Sequence, residues 1–75
     1  MRQALNGEVL MAERIVDVFL NDELLKSYRI SLMTKYVIPD ELFVSAAKQN
    51  MVKEGHSDGD VQGARFVVRF APPGA

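Results

Sequence analysis

Apolar and polar residues alternate along two stretches of this chain, recur at helical spacing along a third, and keep neither period elsewhere. The first alternating stretch runs from Arg14 to Leu32. Ile15-Val16-Asp17-Val18-Phe19-Leu20 is rich in β-branched and aromatic residues; Asn21-Asp22 interrupts it; and Leu24 to Leu32 alternates again with Tyr28, Ile30 and Leu32 on one side. Asn and Asp tolerate left-handed backbone angles and bond their own backbone, so they suit a tight turn. One helix from Val9 to Tyr28 is the competing reading. It would hold Asn21 and Asp22 in its middle and lack a clean apolar stripe, so a β-hairpin of strands 14–20 and 24–32 is expected.

The loop length fixes which side chains share a face. A three-residue loop, Asn21-Asp22-Glu23, pairs Leu20 with Leu24, Val18 with Lys26 and Val16 with Tyr28, gathering Val16, Val18, Leu20, Leu24, Tyr28, Ile30 and Leu32 on one face. A two-residue loop sets Phe19 opposite Leu24 and Asp17 opposite Lys26 instead. The first is preferred because it gathers more apolar surface, worth roughly 25 cal/mol per Å², than an exposed ion pair returns.

Met33 to Ile38 reads as an extended connection. Pro39 is pre-shaped for a first helical turn, and Asp40 and Glu41 set negative charge where a helix dipole is positive. Leu42, Phe43, Ala46, Ala47 and Met51 then recur at helical spacing, with Lys53 in the last turn and Gly55 as the stop. A helix over 39–54 is expected. His56 to Gly63 reads as a polar loop. Ala64 to Ala71 alternates as a third strand, with Phe66, Val68 and Phe70 on one side and Arg65, Val67 and Arg69 on the other.

The order ββαβ implies a two-layer α+β sandwich, with a small three-stranded, mainly antiparallel sheet and one helix packed on one face. The apolar strand 14–20 belongs in the centre, giving the spatial order 2-1-3. A single helix would cover Val16, Val18, Leu20, Tyr28, Ile30, Phe66, Val68 and Phe70. The other face would present Ile15, Phe19, Leu25 and Val67, bordered by Asp17, Arg29, Arg65 and Arg69, and apolar patches of that sort mark interaction sites.

Length and composition narrow the function. Seventy-five residues make one small domain, 1–75, with a poorly patterned leader over 1–12 and a loose tail over 72–75. Patterning begins just after Met11, which would itself serve as a start. Without cysteine there is neither a disulfide nor a thiolate metal site, and a lone histidine, His56, builds no His-rich zinc site. A chain this short gains from pairing with another copy. Nine basic against ten acidic residues argue against a partner held mainly by charge. No apolar run reaches the length of a signal peptide or of a membrane span, and with the missing cysteine this points to the cytoplasm.

Motifs for chemistry are sparse, so no catalytic, cofactor-binding or metal-ligating residue is assigned, and the chain is expected not to be an enzyme. His56-Ser57-Asp58 holds the residue types of a hydrolase triad, but adjacent loop residues do not present triad geometry and no nucleophile elbow accompanies them. Asp58-Gly59-Asp60 opens like a calcium loop, yet the position requiring Glu is Arg69. No glycine-rich phosphate loop is present, so no cofactor is expected. The candidate surface is therefore Ile15, Phe19, Leu25 and Val67 with Arg29, Arg65 and Arg69. A protein partner or self-association through it is the first expectation. A single-stranded nucleic-acid binder on the three arginines is the alternative, weakened by the shortage of exposed aromatics. Leu5, Val9, Leu10 and Met11 of the leader offer another way to cover the same face.

Overall fold

The computed structural model describes residues 10–34 and 37–71. Strands β1 (Leu10–Leu20) and β2 (Glu23–Thr34) form the hairpin, helix α1 (Asp40–Lys53) follows, then a short helix α2 (Asp58–Gly63), and strand β3 (Arg65–Phe70) completes the sheet. The sheet order is β2-β1-β3 with both pairings antiparallel. The small α+β fold with β1 central is the one the patterning predicts.

The turn corrects the expected loop. Asn21 and Asp22 alone make it, with φ of 54° and 63°, the pair of left-handed residues that a two-residue hairpin turn requires. Leu20 pairs with Glu23 and Phe19 with Leu24, yet Val18 pairs with Lys26 and Val16 with Tyr28. Both registers weighed from sequence are therefore present in succession, and a β-bulge at Leu25 separates them. The tight turn satisfies the backbone locally; the extra residue then restores the alignment that buries the apolar face. Leu24 consequently lies beside Phe19 on the open face, not with Leu20 on the helix side.

The core is Val16 and Val18 of β1, Tyr28 and Ile30 of β2, Phe43, Ala47 and Met51 of α1, and Val61 of α2. The three α1 residues lie four apart, so they share one stripe and meet the sheet together. Pro39 precedes the helix in extended conformation without a side-chain cap, and Asp40 and Glu41 occupy its first turn. At the other end Gly55 takes φ +94°. Its N–H donates to the Val52 carbonyl and that of His56 to the Met51 carbonyl, both at 3.0 Å, the paired closure that a left-handed glycine permits.

Three further features differ from expectation. β1 begins at Leu10, so residues 10–12 belong to the sheet and not to a leader. Residues 58–63 form α2 instead of a polar loop: the Ser57 hydroxyl accepts from the Asp60 N–H at 3.1 Å, and Val61 buries against the core. Phe70 escapes the helix that was expected to cover it and is 77% exposed. Whether the first nine residues cover the open face, and what the tail beyond Ala71 does, lies outside the described residues.

Candidate interaction face

The face of the sheet turned away from α1 is built from cross-strand rows. Met11 lies opposite Met33, and Glu13 opposite Ser31. Ile15 sits between Arg29 and Arg69, Asp17 between Ser27 and Val67, and Phe19 between Leu24 and Arg65. Ile15, Phe19, Val67, Arg29, Arg65 and Arg69 of the sequence-derived surface thus share one face. Leu25 stands apart as the extra residue of the bulge, exposed at the sheet's β2 margin.

The charges on this face are largely paired within the chain. Arg29 meets Glu13 at 3.1 Å. Arg69 grips Asp17 with two nitrogens, Nε at 2.8 Å and a terminal nitrogen at 3.3 Å, while the Ser27 hydroxyl donates to the same carboxylate. These donors, Arg69 first and Ser27 next, hold the Asp17 carboxyl below the usual carboxylate range, and Asp17 in turn raises Arg69. Arg65 lies over the Phe19 ring, 4.4 Å from its centre. Each of these three arginines has a partner within the chain, and four apolar side chains remain open on the face beside them. Met11 is 64% exposed, Met33 71% and Leu24 57%, with Val67 also exposed.

Sequence reasoning missed these methionines and Leu24. Met11 and Met33 were legible as the next steps of the alternation through Glu13 and Ile15 and through Ser31 and Arg29; Leu24 was hidden by the bulge. It also missed Arg14, which points to the helix side, 5.5 Å from the Phe43 ring centre and 4.4 Å from that of Phe70.

At the far end of α1 a polar cluster joins helix to hairpin. The Tyr28 hydroxyl donates to Glu54 Oε1 at 2.7 Å, and Lys26 Nζ reaches Glu54 Oε2 at 3.0 Å. Burial, and then the Glu54 carboxylate, push the Tyr28 phenol up to about 12. His56 Nε2 lies 3.9 Å from Glu54. Ser57 caps α2 and Asp58 opens it, so the three residue types of a triad are divided between a helix end and a helix start.

No helix among the described residues is long and apolar enough to cross a membrane. No family model matches the chain, and no curated protein or solved structure matches it either.

Proposed function

We propose that the chain is a small non-catalytic interaction module of the cytoplasm that buries the open face of its sheet against protein, in the simplest case a second copy of itself. The observation that carries this reading is a sheet face with no helix upon it among the described residues, on which Met11, Met33, Leu24 and Val67 are exposed while Arg29 and Arg69 are paired with Glu13 and Asp17. A surface on which Arg29 and Arg69 are already neutralised presents apolar area to a partner with fewer unpaired charges to bury. The same pairing argues against single-stranded nucleic acid, because Arg29 and Arg69 would have to leave Glu13 and Asp17 before meeting a phosphate.

Sedimentation velocity over a concentration series tests it. The chain should associate, and Met33→Glu with Leu24→Glu, both at exposed positions, should abolish the contact made through this face without unfolding the domain. Tight oligonucleotide binding that falls steeply with salt, in a protein that never self-associates, would replace this reading by the nucleic-acid one.

A further inference from the structure

The helix side of the molecule carries a second unfinished surface, at the outer edge of β3. Being last in the order β2-β1-β3, β3 leaves its outer backbone N–H and C=O groups without a neighbouring strand among the described residues. Beside that edge runs a groove of about 570 Å³ lined by Val44, Ser45 and Lys48 of α1 and by Phe66 and Val68 of β3, with Asp40 and Glu41 at its mouth. Lys48 lies by Phe66, its ammonium 5.5 Å from the ring centre. Asp40 lines an adjoining recess with Val68 and Phe70, where Arg14 and Arg69 also stand. The groove is thus basic at one end and acidic at the other, and Phe70, on the same side, stands 77% exposed.

We infer that a second copy of this chain occupies the groove, the two β3 strands pairing antiparallel about a two-fold axis at Val68 to make one six-stranded sheet. Three independent features select that register. First, it sets Phe70 opposite the partner's Phe66, so each exposed ring fills the other copy's groove. Second, it places the acidic mouth formed by Asp40 and Glu41 across from the partner's Lys48, and the reverse, because the two-fold axis turns one groove end for end against the other. The helices then stand about three strand spacings apart, ~14 Å, a gap that Lys and Glu side chains bridge. Third, it sets Arg69 opposite the partner's Val67 and Arg65 opposite the partner's Ala71. An axis at Val67 would instead oppose Arg65 to the partner's Arg69, and like charges directly opposite are destabilising. Closing the edge on a twin also removes a template for uncontrolled strand addition.

This contact is separate from the open face, and a background carrying both Met33→Glu and Leu24→Glu isolates it. In that background sedimentation velocity should still show a dimer. Lys48→Glu, and separately the pair Asp40→Lys with Glu41→Lys, should each weaken it about tenfold or more. Mixing the two variants should restore association, since both ends of the mixed pair are then complementary. Phe70→Asp should give monomers with unchanged circular dichroism. A chain with Met33→Glu and Leu24→Glu that is monomeric at every concentration overturns the edge contact while leaving the open-face reading to its own test. Charge variants that associate like their parent, or a mixture that does not recover, overturn the proposed register.

Discussion

Arg69 and Asp17, 52 positions apart in sequence, are joined across the open face by two hydrogen bonds of 2.8 and 3.3 Å. The pair clips β3 to β1 from the side turned away from α1. It is half open to water on the arginine side, so its weight in stability is small, but its dependence on pH has a definite sign. The Asp17 carboxyl is held below its ordinary 3.8, so its stabilisation is complete above that value and is lost as pH falls through the lower folded value. Asp17→Asn is expected to flatten the acid limb of the stability profile and leave the neutral region slightly lower. Urea unfolding at a series of pH values measures both.

The opposite sign holds at Tyr28. Its phenol ionises near 12 in the fold against an ordinary 10, so the stabilisation is complete below pH 10 and is lost as pH rises toward 12. Glu54→Gln removes the carboxylate that the hydroxyl donates to. It should move the tyrosinate absorbance of Tyr28 toward the ordinary range, in a titration read against a Tyr28→Phe control that leaves Tyr36 alone.

Two classes of glycine should respond in opposite directions. A Cβ on Gly55 would meet nothing within 4 Å, so only the backbone at φ +94° resists it. Gly55→Ala should therefore destabilise by about 1–2 kcal/mol. Gly59 lies within α2, and its Cβ would stand an ordinary 3.9 Å from the Ser57 hydroxyl oxygen. Gly59→Ala should stabilise by about 0.5–1 kcal/mol. Thermal melts of the two variants beside the parent decide it.

Much of this architecture was legible in the sequence because short-range physics sets it. Alternation about Asn21-Asp22 encodes the hairpin, and the four-residue spacing of Phe43, Ala47 and Met51 encodes the buried stripe of α1. The register was only half legible. Turn geometry favours one alignment and apolar burial the other, and nothing local announces that a bulge at Leu25 reconciles them. α2 was hidden because two glycines and two aspartates read as loop, although Ser57 and Asp60 stand in the spacing of a helix cap. Of the candidate face, the side-chain alternation was readable, but the ion pairs were not. Arg29 meets Glu13 and Arg69 meets Asp17 only because three strands bring distant positions side by side.

The core rests on few residues, which makes it brittle. Phe43, in the first turn of α1, is fully buried, and Phe43→Ala should cost about 3–5 kcal/mol. Against the roughly 4–11 kcal/mol expected of a chain this size, that is a large share, visible as a lower midpoint of urea unfolding followed by helical circular dichroism.

The central strand also sets an order of events in synthesis. β1 acquires its β2 neighbour across a two-residue turn, a local closure that takes microseconds. Its other edge waits for β3, which is the last element of the sheet to be translated. Until Arg65 to Phe70 has left the ribosome, the apolar backbone ribbon from Ile15 to Leu20 is bare along one side and able to recruit any strand nearby. A chain ending before Arg65 should scatter light at concentrations where the full chain remains clear. By that measure β3 acts as a seal applied late, and its short length keeps the vulnerable interval brief.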